Sequence, residues 1–446
     1  MAGVVNEIGR RLTSLRHRQR CDRQIGAVVM RADHPTSWQL NAEVSDFNKL
    51  WLGQTISLLG SAVTMFALPT LAVLVLHATP VQLGALTALQ TLPFPILGVL
   101  VGVIADRFSR RRIMVVADMV RFVALASVPI AAAGKALGMS QLYGVALVTG
   151  AASAFFGIAY QSYLPVIVPA KDLTGANAKL EFSNSGSTMA GVAVAGVLVQ
   201  WIGAALAVAA DAASYIASVI SLLTIRTVEE PHKGPPLSLR QAGREINEGL
   251  KVVFRSNDLR WILYATATTN LGGAMITAVF FIYAYRLLHL QPGLLGLVDG
   301  FANLGFVGAL FAVPMRNRLG LRATLVGALL VAGLGSMGIL LAHVGVPYAV
   351  LFAQGAVVAV AVPIYNINQI SYRQALVDAR LQGRLNATMR TFVWGTLPLG
   401  SIIGGWLGTL LGVPATIACG ALVSSVAALW ILPLRVRERA DEIRTL

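Results

Sequence analysis

Hydrophobic positions in this chain fall into long unbroken runs, without the short alternation of a water-facing strand or the one-sided stripe of a surface helix. Runs long enough to cross about 30 Å of hydrocarbon lie near 50–76, 82–105, 113–134, 141–163, 183–203 and 205–225. Six more lie near 261–284, 293–314, 323–343, 347–370, 391–411 and 414–434. The pattern predicts an all-α integral membrane protein of twelve transmembrane helices. Polar stretches divide it into a basic tail (1–45), a six-helix bundle (46–225), a linker (226–260), a second six-helix bundle (261–434) and a short basic tail (435–446).

Two of the polar stretches have rhythms of their own. In the first tail Val5, Ile8, Leu12 and Leu15 share helical spacing beside Arg10, Arg11 and Arg16, which fits a basic surface helix or an unstructured arm. The tail's longest apolar run, Ile25 to Met30, is too short for the core of a secretory signal. In the linker Leu239, Ala242, Ile246, Leu250 and Val253 recur against Arg240, Arg244, Glu245 and Lys251. That spacing predicts an amphipathic helix, either lying on the inner leaflet or simply bridging two halves.

The halves are also related to each other. An offset of 209 residues lays Asn177, Ala178, Gly186, Gly191, Gly196, Leu198 and Gly203 over Asn386, Ala387, Gly395, Gly400, Gly405, Leu407 and Gly412, and Arg107 over Arg316. One register serving two separated places argues for duplication of a six-span unit. Ser187, Gly191 and Ala195 in span 5, and Thr396, Gly400, Gly404 and Gly408 in span 11, form small-residue stripes. Such stripes let helix backbones approach closely, either as fixed packing or as contacts that slide.

Composition agrees with a membrane protein. Only 12% of residues are charged and mean hydropathy is +0.70, where soluble domains carry about 25% charged residues. The net charge of +15 does not point to nucleic acid, because the arginines sit between apolar runs rather than along one face. With both termini cytoplasmic, all of the 35 lysines and arginines except Lys135, Arg286 and Arg121 fall in cytoplasmic segments, which sets the expected topology. Two cysteines, Cys21 and Cys419, and six scattered histidines offer no metal-ligand spacing. No catalytic triad or phosphate loop is present, so neither an enzyme nor an ATP-driven pump is expected.

The turn between spans 2 and 3 reads "GVIADRFSRRR". Positive charge at a cytoplasmic turn accounts for the arginines but not for Asp106 at the mouth of span 2. The order Gly102-x-x-x-Asp106-Arg107-x-Ser109-Arg110-Arg111 resembles the signature of the major facilitator superfamily, with Ser109 in place of its second glycine. Further stretches, "LWLGQTISLLGSAVTMFALP", "YLPVIVPAKDLTGANA", "DAASYIASVISL" and "SYRQALVDARLQGRLNATMRTFVWGTLPLGSIIGG", look like the branch of enterobactin and macrolide exporters, over roughly residues 45–435. The resemblance implies two pseudo-symmetric bundles and proton-driven efflux of an amphiphilic molecule (drug, macrolide or siderophore class), with no cofactor. It also implies a cytoplasmic latch: Asp106 facing the N-terminal end of span 11 near Thr388 to Thr391, with Arg107 and Arg110 reaching acids such as Asp118. Two departures prevent a simple transfer of coupling residues. Span 5 reads Gly191-Val192-Ala193-Val194-Ala195-Gly196, without the proline of the drug-antiporter signature, and span 4 lacks an arginine.

Charges inside the spans are few: Asp118, Arg121, Asp211 and Asp299. Each costs about 2.5–3.5 kcal/mol at mid-bilayer unless paired, protonated or wet. Asp118 and Arg121 stand one turn apart and can pair. Asp211 and Asp299 are the proton-coupling candidates, Asp299 foremost because no cation lies within one turn and Asn303 follows it. The structural alternatives are a hydrogen bond to a neighbouring helix for Asp211, and a reach to the outer interface or Arg286 for Asp299. Polar candidates for a central cavity are Gln54, Gln90, Tyr160, Asn270, Asn303, Asn366 and Gln369; Tyr264, Phe280, Phe281 and Trp394 are candidates for stacking on a large apolar solute. Each is equally explained as helix–helix packing. The sequence reads as a monomeric secondary transporter in the inner membrane that exports by alternating access. An importer of a small metabolite on the same fold is the alternative, and a transport-inactive scaffold a more distant one.

Overall fold

A computed structural model describes residues 37–97, 108–169, 171–227, 229, 239–302 and 305–434. In the first half these form α1 (Ser37–Leu74), α2 (Pro80–Thr91), α3 (Arg110–Ala133), α4 (Met139–Ile167), α5 (Leu173–Ile202) and α6 (Ala204–Thr224). The linker carries α7 (Leu239–Arg255). In the second half follow α8 (Asn257–Ile282), α9 (Pro292–Ala302), α10 (Gly305–Leu319), α11 (Leu321–Met337), α12 (Pro347–Leu376), α13 (Ala379–Leu410) and α14 (Val413–Val426). There is no strand among the described residues.

Ten helical segments among the described residues are long and apolar enough to cross a membrane, α9 and α10 together making one of them. The other two predicted spans fall where α2 and α13 lie. Pro93 follows a turn at Leu92, so the helix that begins as α2 is interrupted before residues 93–97 resume it. In α13 glycine and threonine dilute the leucines and isoleucines of an otherwise continuous helix.

Several helices overrun the ends that hydropathy predicts. α5 starts at Leu173, α13 at Ala379, and α1 at Ser37 rather than at the end of a 45-residue tail. Each overrun lies at the arginine-rich end of the molecule, where the helix continues past the apolar stretch into polar sequence. The overrun of α12 places one further cation, Arg373, in a buried helical position.

Local chemistry explains where helices begin. Thr79 and Gln82 form a reciprocal capping box at α2, with Pro80 as its first residue. Ser109 caps α3, its Oγ accepting the Arg112 N–H at 3.2 Å. The residue that departs from the family signature thus has a local task. Gly203 and Gly412, partners at the 209-residue offset, each turn the chain between two helices with φ 84° and ψ near 155–161°, a region open to glycine alone.

Packing shows the internal repeat directly. Gly191 of α5 presses on Leu59 and Ala62 of α1, and Gly400 of α13 on Leu271 and Ala274 of α8. Most stripe positions therefore serve contacts within each half, as Gly404 does against Met275, while Gly408 touches both Val279 and Pro80 of the other half. The next row joins the halves: Gly196 meets Pro292 and Gly296 of α9, and Gly405 meets Pro80 and Gly84 of α2. At the end opposite the arginines a single core takes residues from both halves, among them Phe66, Leu71 and Leu86 with Ile276, Val279 and Tyr283. Toward the arginine-rich end the core divides in two, one around Leu50, Met114, Tyr163 and Leu222 and another around Leu259, Leu325, Tyr372 and Leu385. The bundles are joined at one end and packed separately at the other.

Candidate functional site

The seam between the halves is closed by α1 and α8. Phe66 and Phe281 meet edge to face, centroids 5.4 Å apart. One turn on, Thr70 Oγ1 and the Tyr285 hydroxyl share a hydrogen bond of 3.0 Å, and Arg286 donates to the Val73 carbonyl at 3.3 Å. Tyr285 and Arg286 project from a single π-helical turn, Tyr283–Leu287, that ends α8; such turns re-aim side chains. Gln200 accepts the Gly293 N–H at 2.9 Å beside the Gly196–Gly296 crossing. At mid-depth Phe94 and Trp394 make the remaining ring contact across the seam, 5.2 Å between centroids. Arg286, one of the alternative partners open to Asp299 in the sequence, has its guanidinium engaged with α1.

Asp299 lies on α9 between Gly296 and Gly300, both pressed against α5 of the other half. It is exposed in the last turn of α9 and within electrostatic reach of the Tyr285 phenol. Of the other polar candidates, Asn303 lies outside the described residues. Gln54 and Asn366 are half-buried, and Gln54 keeps its Oε1 without a partner. Gln369 is buried, also with Oε1 unpartnered. Asn270 is half-buried, and its Nδ2 donates to the Val393 carbonyl and ties α8 to α13, the packing role open to it in the sequence. Tyr264 packs with Trp261 and Trp430, and Tyr160 stacks on Phe156.

Inside the first half three charges are buried together. Arg121 pairs with Asp118 on the same helix, as their spacing predicts. Its guanidinium is held between the rings of Phe156 on α4 and Tyr215 on α6, at 4.5 and 4.4 Å. Asp211 of α6 accepts from Ser214 Oγ at 3.1 Å. All three are at most 5% exposed.

At the arginine-rich end Gly102, Asp106 and Arg107 lie outside the described residues. Arg110 does not reach Asp118, which Arg121 occupies; both its backbone N–H and its guanidinium go to Glu229 after α6, at 3.1 and 3.2 Å. Arg111 donates to the Leu223 carbonyl. Thr388, near which Asp106 is expected to face α13, packs against Gly249 of α7, and Arg384 pairs with Glu248 of the same helix. The linker helix has the predicted amphipathic pattern, but it docks on α13 and buries Val253 in the second half's core.

Two acids at this end escaped the sequence reading. Asp46 accepts the backbone N–H groups of Arg226 and Thr227, each at 2.9 Å, and pairs with Lys49, fastening the start of α1 to the chain leaving α6. Asp258, at the start of α8, accepts from the Tyr372 hydroxyl at 2.6 Å. The 209-residue offset marks only its partner, laying Ser162 and Tyr163 over Ser371 and Tyr372, whereas Asp258 falls on Lys49.

A profile of the Major Facilitator Superfamily matches residues 50–396. Multidrug efflux pump Tap of Mycobacterium tuberculosis is 28% identical over 375 residues, covering 81% of this chain and 87% of that protein. Macrolide efflux protein A of Streptococcus pyogenes is 23% identical over 394 residues, covering 84% and 91%. Among solved structures, a bacterial homologue of the iron transporter ferroportin in an inward-facing state superposes with TM-score 0.70 at 17% identity, over 87% of this chain and 99% of that one. Nucleoside transporter NupG gives 0.68 at 15%, over 87% and 98%. These last two share the fold. With a duplicated helical bundle, a seam closed at one end and a family match over most of its length, the chain belongs to the Major Facilitator Superfamily of membrane transporters.

Proposed function

We propose that the protein exports an amphiphilic small molecule of the drug or macrolide class across the cytoplasmic membrane, exchanging it for protons by alternating access. The observation that carries this reading is Asp299: an acid on a helix that bridges the halves, exposed and within electrostatic reach of the gate's own Tyr285. A carboxyl group there meets solute and proton from one side at a time. The similarity to efflux proteins over more than 80% of the chain supports the direction and the solute class. The charge bias of the loops supports cytoplasmic termini, so the parted end faces the cell interior and admits solute from it. Proton coupling requires that binding of a proton and of solute favour different states. The protein works as a monomer, since each chain carries both halves of the seam.

Everted membrane vesicles test the proposal. A fluorescent cationic dye and a macrolide should accumulate when the lumen is acidified, and collapse of the gradient should release them. Asp299→Asn should retain binding and lose gradient-driven accumulation. Uptake of neither compound by the wild-type protein would overturn the exporter reading, and coupled transport by Asp299→Asn would remove Asp299 as the carrier. Growth of a deletion strain on antibiotics, with siderophore measured outside the cells, separates the solute classes.

A further inference from the structure

The ionic cluster of the first half has a charge count that does not close. Two carboxylates, Asp118 and Asp211, share one guanidinium, Arg121, and all three are buried. Arg121 is committed to Asp118 and clamped between two rings, yet its Coulombic influence reaches Asp211 as well. Among the described residues no helix around Asp211 supplies a second cation, and α1 and α6 surround it with hydroxyls. α1 brings Ser61 and Thr64, α6 brings Ser214, Tyr215 and Ser218, and α3 brings only the Asp118–Arg121 pair. α4 contributes Phe156, with Tyr160 stacked behind it. With both acids ionised, the cluster would hold a net negative charge out of reach of water, an arrangement that proteins avoid by taking up a proton.

The hydrogen-bond inventory leaves room for that proton. Asp118 Oδ2, Asp211 Oδ2, Thr64 Oγ1 and Arg121 Nε are each buried without a partner. A proton on Asp211 Oδ2 would turn that acceptor into a donor toward the Thr64 hydroxyl, which donates to the carboxylate when the acid is ionised. The hydroxyls around Asp211 thus serve either protonation state, and the charge count decides for the protonated one.

We propose that Asp118, Arg121 and Asp211 form a proton-binding site within the first half, holding one exchangeable proton on Asp211. Hydronium gives up its proton to the Asp211 carboxylate, leaving water and a neutral acid; release to water restores the carboxylate, and Arg121 then stands between two anions. This site is separate from Asp299, which lies on the seam. Its role in driving transport rests on the proton-coupled reading above, whereas its binding of a proton does not.

Infrared difference spectra of the full-length protein in liposomes, taken between mildly acidic and alkaline buffer, test the assignment. The wild-type protein should show the C=O stretch of a protonated carboxylic acid, lost in Asp211→Asn and kept in Asp299→Asn. A band that survives in Asp211→Asn, or no such band in the wild type, would overturn the proposal. Should Asp211→Asn fail to fold, Thr64→Val gives the second reading. The band should shift when its neighbouring hydroxyl is removed, and an unmoved band would overturn it equally. At neutral pH Asp211→Asn should melt at or above the wild-type temperature, because asparagine imitates the neutral acid. Asp118→Asn should melt lower, leaving Arg121 short of its partner, and the reverse order would count against the assignment. Vesicles without gradient-driven transport, but with the infrared band intact, would sink the exporter reading alone.

Discussion

Single residues carry much of what the duplicated fold requires. Gly203 and Gly412 hold the same glycine-only conformation in the two halves, so Gly412→Ala should cost about 1–3 kcal/mol. Thermal melts in detergent should show that loss, whereas Gly243→Ala, a helical glycine with nothing around it, should leave the melt unchanged or slightly higher. Ser109→Ala removes the cap on α3 at a cost of about 1 kcal/mol, and Ser109→Asp, which restores an accepting oxygen, should recover it. Both glycines stood out in the sequence because the repeat register pairs them. Ser109 looked there like a blemish in a motif, because a capping bond depends on where the helix starts.

At the scale of elements, the seam is set by two helices that hydropathy treats as ordinary spans. The Thr70–Tyr285 bond contributes about 0.5–1.5 kcal/mol to the closed contact. Thr70 keeps a second bond to the Phe66 carbonyl, so Tyr285→Phe leaves no stranded group there. Tyr285→Phe should shift the balance toward opening at that end by roughly two- to tenfold, read as faster labelling of Val73→Cys from outside the cell. The linker helix makes a second case. Gly249 leaves no room for a side chain beside Arg384 and Thr388, so Gly249→Leu should lift α7 from α13 and slow transport while expression stays normal. An amphipathic pattern gave the helix but could not say which surface its apolar face meets; here α13 and the core behind Val253 compete with lipid for it.

For the whole molecule, helical class and duplication were legible because the bilayer forces all backbone bonding into the spans, and ten of the twelve expected spans stand out among the described residues. Less legible were the ends of α5 and α13, since nothing in hydropathy marks a helix once it leaves hydrocarbon. Cavity and latch assignments fared unevenly for a related reason. Asn270 and Arg110 have the right chemistry for the roles assigned to them, but their partners, the Val393 carbonyl and Glu229, come from distant sequence. The proposed orientation has its own check. Phe182 of α5 is 81% exposed toward the arginine-rich end, so Phe182→Cys should react with a membrane-impermeant thiol reagent in everted vesicles and remain unlabelled in intact cells.

The two glycine crossings, Gly196 on Gly296 and Gly405 on Gly84, are paired by the repeat and sit on different helix pairs. Two such points define a fulcrum line, and from Gly196 back to Leu173 α5 extends about 35 Å at 1.5 Å per residue. A methyl wedge under one bearing, as in Gly296→Ala, should skew the bundles, while matched wedges in Gly296→Ala with Gly84→Ala should raise them evenly. Spin-label distances at the far rim should therefore change asymmetrically in the single variant and symmetrically in the double.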